Sequence, residues 1–314
     1  MAHMANPLAT ADQLYRRNNL AALPQDLQDA IFYQTQLLTQ AAGLLLRIPQ
    51  SVTAQANVIL ARYWLVDSPL VHEPSDTSAA SLFVTAKLSA HPVPPRDLSN
   101  VYAYLLSPGS SLFRRPAPPD DPASYYLSEA AYTAFHNRIL VVEARILGAL
   151  SFDTHVALPH PLAVTYLQAL DFMAQPRARI TRRVVEYLNT ALLSPQMLYV
   201  THQPHALAVA AIYNAAKDTG AKMPECPWWE VFDVDREELG FLVVGMRSLD
   251  GWVRKMGEEI EEFGAGSMVR RRGIEAELAK RGIVIAQNGV AGKELDEEEA
   301  MMRSLDERAA QMES

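Results

Sequence analysis

The chain has 314 residues, a formal net charge of −8 and a single cysteine, Cys226. One cysteine rules out an internal disulfide or a cysteine-rich zinc site, and the negative charge argues against a dominant phosphate-binding surface, because nucleic-acid affinity depends on clustered Lys and Arg. No apolar run approaches the roughly 20 residues that span a bilayer, so we expect a soluble protein of a reducing, intracellular compartment.

The first half of the chain shows helical periodicity after an N-terminal extension, residues 1–23. The extension begins with Met1-Ala2-His3-Met4, which resembles an expression-vector remnant. Apolar residues at helical spacing then predict a helix that Pro49 closes. Four more helices are predicted: at about 51–66, at about 74–87, at about 96–106 and at about 127–150, with a Pro- and Gly-rich loop over 107–122.

A candidate linker over 151–159 separates these helices from a second series. Here helices are predicted at about 161–170, 181–193, 204–219 and 235–253. Asp235 suits the start of the last helix, because its carboxylate can accept a hydrogen bond from an unpaired backbone N–H. Beyond Lys255 the charge runs Glu258–Glu262, Arg270–Arg272 and Asp296–Glu299 are typical of a solvated or disordered tail.

Two stretches, one in each half, have nearly the same pattern. Glu73-Pro74 precedes Ser78-Ala-Ala-Ser-Leu-Phe-Val-Thr-Ala-Lys87, and Gln203-Pro204 precedes Ala208-Val-Ala-Ala-Ile-Tyr-Asn-Ala-Ala-Lys217. A proline at a helix start costs nothing, because the first N–H groups have no intrahelical partner, and the small residues allow neighbouring helices to approach closely. The pattern predicts an all-α protein with two tandem five-helix repeats, each built around a small-residue helix.

Motifs for catalysis or metal binding are weak. His202 and His205 have a ligand-like spacing, but no carboxylate or cysteine pattern completes a metal site, so no cofactor and no metal are expected. No sequence motif places a serine or histidine in the setting of a catalytic nucleophile, so the chain is not expected to be an enzyme. Trp228 and Trp229 are expected to place one ring in the core, and an exposed ring there would be a candidate partner contact.

Consecutive helical units with a small-residue third helix are the pattern of the cyclin box, and the sequence resembles the cyclin family over roughly residues 24–256. It is most similar to cyclin L, in Gln40-Ala-Ala-Gly-Leu-Leu-Leu-Arg-Ile-Pro-Gln50, in Leu158-Pro-His-Pro161 with Tyr166-Leu-Gln168, and in Pro227-Trp-Trp-Glu-Val-Phe232. The resemblance implies an N-terminal cyclin box over 24–152, a C-terminal box over 153–256 and a charged tail over 257–314, helical or disordered.

The resemblance also implies a function. A cyclin L-like chain would be a nuclear regulatory subunit that binds and activates a cyclin-dependent kinase acting in transcription and pre-mRNA splicing, and it would supply no catalytic group. The favoured partner is of the cyclin-dependent kinase 11 type, with splicing-factor proteins as further partners and with no membrane or direct nucleic-acid binding. In the family, a lysine that ends the third helix and a glutamate of the fifth hold the kinase; these match Lys87 and Glu143. Apolar contact area is expected from Phe83, Leu88, Leu147 and Leu150.

The residues themselves leave other interpretations open. A lysine such as Lys87 at a helix end is also typical of a solvent-facing side chain, and Glu143 with Arg145 would make an ordinary surface pair. Leu147 and Leu150 are equally compatible with the core. Two other functions also stay open: a cyclin-fold general transcription factor of the IIB type, and a peptide-binding scaffold that activates no kinase.

The chain departs from the family pattern in three places. It has Ser89-Ala90-His91 where cyclins commonly have an acidic pair after the lysine. It has Thr39–Gly43 where cell-cycle cyclins have a docking patch for substrates, so recruitment through that patch is not expected. The 314 residues also include no arginine-serine-rich tail of the kind with which cyclin L proteins typically continue.

Overall fold

The structure, a computed structural model, describes residues 4–20, 23–108, 125–172, 178–260 and 270–283, with Ser110, Leu112 and Met268. Within these ranges the regular secondary structure is helical and contains no strand. The predicted all-α class is therefore confirmed. Most of the predicted loop over 107–122 and the charge run 296–299 lie outside the described residues.

The helices follow the predicted order closely. The α-helices are α1 (Ala11–Leu20), α2 (Gln25–Leu45), α3 (Gln50–Tyr63), α4 (Pro74–Leu88), α5 (Pro95–Leu106), α6 (Glu129–Ala149), α7 (Pro159–Ala169), α8 (Ala178–Ala191), α9 (Leu198–Thr201), α10 (Pro204–Thr219), α11 (Arg236–Glu259) and α12 (Arg271–Lys280), and a 3-10 helix spans Trp228–Phe232. Proline occupies the first position of α4, α5, α7 and α10, where its missing N–H removes no helical hydrogen bond.

The first repeat consists of α2 to α6, arranged around α4. Every residue of α4 from Pro74 to Ala86 is buried, and the helix contacts α2, α3, α5 and α6. Its small side chains allow this close packing on all sides. Buried hydroxyls join the helices: Ser78 Oγ lies 2.7 Å from Thr39 Oγ1 and 2.7 Å from the Tyr102 hydroxyl. The predicted small-residue helix therefore forms the centre of this repeat.

The second repeat consists of α7 to α11, arranged around α10, which contacts α7, α8 and α11. It differs from the first repeat after α10, where the chain forms only the short 3-10 helix. Pro227 precedes this turn, and Asp233 ends it in a left-handed conformation with φ 59°. The tandem repeats are confirmed, while the domain boundaries 24–152 and 153–256 stay predictions.

Helix α11 is longer than predicted. It continues to Glu259 instead of ending near Val253, because Met256 and Ile260 keep its apolar stripe buried. At its start, Asp235 Oδ1 accepts a hydrogen bond from Glu238 N at 2.7 Å, as the sequence predicts.

The N-terminal extension contains the unpredicted helix α1. Thr10 Oγ1 accepts a hydrogen bond from Gln13 N, and the Gln13 side chain accepts one from Thr10 N, which forms a capping box. Residues up to Ile274 belong to one compact unit, and those from Glu275 belong to a second. Among the described helices, none has the length and apolarity needed to cross a bilayer.

Candidate functional site

The structure brings Lys87 and Glu143 together at the junction of α4 and α6. Lys87 lies in the last turn of α4, and its Nζ donates to both carboxylate oxygens of Glu143, at 2.7 and 3.0 Å. The lysine side chain is 45% exposed and the glutamate 13% exposed. The ammonium group thus remains accessible from solvent, while the carboxylate that orients it is mostly covered.

Phe83 contacts the lysine of this ion pair. Its ring is 5% exposed and lies one helical turn before the lysine. Lys87 Nζ lies 4.4 Å from the ring centroid, within the range of a cation–π contact. The carboxylate and the ring together hold the lysine side chain in one orientation.

A second ion pair connects the same two helices. Arg138 Nε of α6 donates to Asp76 Oδ2 in the first turn of α4 at 2.7 Å, and the Asp76 side chain is only 5% exposed. Helices α4 and α6 are therefore joined at two separate points. This arrangement fixes where Glu143 lies relative to Lys87.

The predicted apolar residues lie near the pair along the chain. Leu88 is 65% exposed, whereas Leu147 and Leu150 are half-buried, so these two belong partly to the core and partly to the surface. Sequence reasoning missed Phe152, which follows α6 and is 73% exposed. Leu88 directly follows Lys87, so it is the exposed apolar side chain placed to enlarge the surface next to the accessible charge.

The position of Phe152 has a local cause. Ser151 and Phe152 both adopt left-handed conformations, with φ of 50° and 62°. Such values are uncommon for residues with a side chain and mark a tight, constrained turn. Helical periodicity contains no signal for this turn, although the end of the apolar stripe at Leu150 indicates that α6 stops there.

The corresponding ion pairs of the second repeat have the opposite arrangement of charge. There the central helix α10 supplies a carboxylate, Asp218, and α11 supplies the cation, Arg247. Asp218 also accepts hydrogen bonds from Arg183 Nε at 2.9 Å and from the Tyr187 hydroxyl at 2.7 Å. Burial opposes the effect, but these donors lower the pKa of Asp218 below its ordinary value. Lys217, which aligns with Lys87 in the repeat, is exposed, and the described residues place no carboxylate within ion-pair distance of it.

The remaining candidates have structural roles. His202 stacks on Phe241 and its Nδ1 lies 2.9 Å from Thr201 Oγ1, while His205 Nε2 lies 3.2 Å from the Asp233 carbonyl oxygen. Among the described residues, no group of three potential ligands surrounds a common metal position. Trp228 is 3% exposed and therefore occupies the core, as expected for one of the two tryptophans.

The segment after Lys87 forms a compact turn. Ser89 Oγ donates to the Ala86 carbonyl oxygen and accepts a hydrogen bond from His91 N, both at 2.9 Å. Ser89 thus provides hydrogen-bond partners for a carbonyl oxygen and an N–H group at the C-terminus of α4. No acidic side chain is present at this point of the sequence, so the surface beside the lysine is less negative than the usual cyclin pattern implies.

Comparison with known proteins identifies the family. No family model matches the chain. A chain in the crystal structure of the yeast RNA polymerase II CTD kinase complex CTDK-1 superposes with a TM-score of 0.61 at 13% identity, covering 91% of this chain and 87% of that one. Human cyclin-L2 is 30% identical over 237 residues, and a cyclin-L1-like protein of Schizosaccharomyces pombe is 30% identical over 222 residues.

The extent of these matches differs between the relatives. The match covers 72% of this chain and 43% of human cyclin-L2, and 68% of this chain and 82% of the Schizosaccharomyces pombe protein. The chain belongs to the cyclin L family. It spans less than half the length of the human relative.

Proposed function

We propose that this chain is a regulatory subunit that binds and activates a cyclin-dependent kinase through the surface formed by Lys87, Glu143 and the apolar side chains around them. The observation that carries the proposal is the ion pair in which Lys87 of α4 donates to both carboxylate oxygens of Glu143 of α6. This pair leaves the lysine accessible on a chain of the cyclin L family. The chain itself supplies no catalytic group in this function.

The polar part of the surface suits recognition of backbone groups. A lysine ammonium has three N–H donors, and Glu143 accepts from it with both oxygens, so a further donor direction remains for a carbonyl of the partner. The glutamate oxygens can also accept from a backbone N–H of the partner. Because Phe83 and Glu143 already hold the lysine, binding orders few additional rotamers.

The apolar part supplies contact area. Leu88 directly follows Lys87, Phe152 follows the end of α6, and both have most of their surface exposed. Covering such side chains favours a complex by about 25 cal/mol per Å² of apolar area removed from water, and the entropy lost on association offsets part of this gain. A kinase helix pressed against this surface would be pushed towards its own active site, where an αC glutamate must meet the lysine that positions the ATP phosphates.

Family membership supports a more specific assignment. We assign the kinase to the cyclin-dependent kinase 11 type and the complex to nuclear transcription and pre-mRNA splicing, with splicing-factor proteins as further partners. The support is the similarity to cyclin L proteins over most of the chain, together with the fold shared with a chain of an RNA polymerase II CTD kinase complex.

The test is a binding measurement with the double variant Lys87→Ala/Glu143→Ala of the full chain. Calorimetric titration against the catalytic domain of a cyclin-dependent kinase 11 type enzyme should show affinity at least about 30-fold weaker, since a central interface residue contributes about 2 kcal/mol or more. Kinase activation should fall in parallel. Helicity and melting temperature should change little, because removing both partners together leaves no unpaired charge at the partly covered position of the carboxylate.

The second repeat provides a matched control. Lys217→Ala removes a lysine from the same register of α10 and should leave kinase affinity unchanged. Wild-type binding by the double variant would refute the site. Failure of the wild-type chain to bind any cyclin-dependent kinase, with retention of duplex DNA and polymerase subunits from nuclear extract instead, would favour the transcription-factor alternative.

A further inference from the structure

Asn6 occupies an unexpected place in the fold. It lies in the N-terminal extension, between exposed neighbours, yet it is only 6% exposed. Its side-chain Nδ2 donates to the Ala157 carbonyl oxygen, and its Oδ1 accepts from Ala157 N, both at 2.8 Å. Its backbone N donates to Gln203 Oε1, and its carbonyl oxygen accepts from Gln203 Nε2, both at 3.0 Å. Two reciprocal amide pairs thus meet at one residue.

A fifth hydrogen bond extends this contact to the first repeat. Arg62 of α3 is 7% exposed, and its guanidinium donates to Asn6 Oδ1 at 3.2 Å and to the His155 carbonyl oxygen at 2.7 Å. Further along the extension, Ala9 N donates to the Val200 carbonyl oxygen at 2.7 Å. The extension is therefore bound to the first repeat, to the segment between the repeats and to the second repeat.

We propose that residues 4–10 form a strap that fixes the two repeats relative to each other, with Asn6 as the positioning residue. Asparagine suits this position because one short side chain offers a donor and an acceptor in the spacing of a peptide group, so it can pair with both polar groups of Ala157. The acceptor also satisfies part of the buried Arg62 guanidinium, which would otherwise lose a partner inside the protein.

The strap acts on a segment that matters for the surface described above. Residues 153–158 follow directly after Phe152, and the hydrogen bonds to His155 and Ala157 hold this segment in place. Release of the strap would free the connection between the repeats without altering the contact between α4 and α6. The inference does not depend on the proposed function, since its readouts are internal to the chain.

The first measurement is hydrogen exchange in full-length Asn6→Ala. The Ala157 amide should lose protection by about tenfold, the effect expected when a buried N–H loses its hydrogen-bond acceptor. Amides in α4 should remain as protected as in the wild type, which shows that the variant is folded. The matched control is Leu8→Ala in the same segment, because Leu8 is 39% exposed and the change removes none of the amide pairs.

The second measurement is the distance between the repeats. Cys226 is exposed in the second repeat and is the single cysteine of the chain, so adding Leu44→Cys on α2, at a position 69% exposed, gives a specific pair of spin labels. Electron–electron resonance should show a broader distance distribution in Asn6→Ala than in the wild type or Leu8→Ala. Unchanged protection of Ala157 together with an unchanged distribution would overturn the proposal.

Discussion

Gly43→Ala tests how closely α2 and α3 approach each other. A Cβ added at Gly43 would overlap Thr53 Oγ1 and would lie 2.6 Å from its Cγ2 and 3.0 Å from its Cβ. Thr53 is 1% exposed, and a β-branched side chain in a helix has few alternative rotamers. The added methyl group therefore cannot be accommodated by a simple side-chain rotation.

The expected magnitude is a balance of two effects. Overpacking a buried contact costs about 1–3 kcal/mol. Replacing glycine by alanine inside a helix returns about 0.5–1 kcal/mol through backbone entropy. We expect a net loss of about 1 kcal/mol, and of at most about 2.5 kcal/mol, in the free energy of unfolding for Gly43→Ala, measured by urea titration. Gly240→Ala in α11, where an added Cβ meets no atom within 4 Å, should instead stabilise by about 0.5–1 kcal/mol.

A second substitution identifies the cause. Thr53→Ala, introduced with Gly43→Ala, removes two of the three clashing atoms and should recover part of the loss, which appears as a favourable coupling energy in a double-mutant cycle. The reasoning fails if Gly43→Ala stabilises the protein as much as Gly240→Ala does. It also fails if the two changes at the contact are additive.

Two further predictions concern pH and helix capping. Burial lowers the pKa of His160, although the hydrogen bond that its Nε2 donates to Asn189 Oδ1 acts in the opposite direction. The unfolded chain therefore binds a proton more readily, and stability is lost as the pH falls below about 6.5. His160→Gln should flatten the dependence of the unfolding free energy between about pH 7 and 5, by at most about 1.4 kcal/mol per pH unit, and an unchanged slope would contradict this. Asp235→Ala removes the cap of α11 and should cost about 1 kcal/mol in the same urea titration, whereas a cost near zero would show that the hydrogen bond to Glu238 N contributes little.

The sequence predicts the helices well where local signals mark their ends. The central helices α4 and α10 begin at Pro74 and Pro204, as expected from the repeat, and α5 begins within a residue of its predicted start. The predicted end of α11 near Val253 was wrong, because burial of Met256 and Ile260 outweighs the charged composition that begins there. Local composition cannot show which late residues find a tertiary partner.

Helix α1 and the strap illustrate the same limit more strongly. The capping pattern of Thr10 and Gln13 is a local signal that could have indicated α1. Nothing local indicates the burial of Asn6, because its partners Ala157 and Gln203 lie far along the chain. Such contacts follow from the packing of complete repeats and are not encoded in a short window.

The candidate site also contains residues that the sequence indicates and one that it does not. The resemblance to cyclins points to Lys87 and Glu143, and the structure joins these two residues in an ion pair. The role of this pair in kinase binding stays a prediction. The cation–π contact with Phe83 follows from helical spacing once α4 is known. Phe152 was missed because its exposure depends on two left-handed residues at the end of α6, which hydrophobic periodicity does not detect.

The two repeats show why the fold alone does not define the binding surface. Both place a small-residue helix at the centre and tie it to the last helix by an ion pair. In the first repeat the cation projects from the central helix and remains accessible, whereas in the second the central carboxylate is enclosed by Arg183, Tyr187 and Arg247. With the charges exchanged between the helices, the exposed Lys217 has no carboxylate within ion-pair distance among the described residues to orient it. A duplicated scaffold thereby presents two chemically different surfaces, and the side chains placed on it, rather than the shared fold, determine what each can bind.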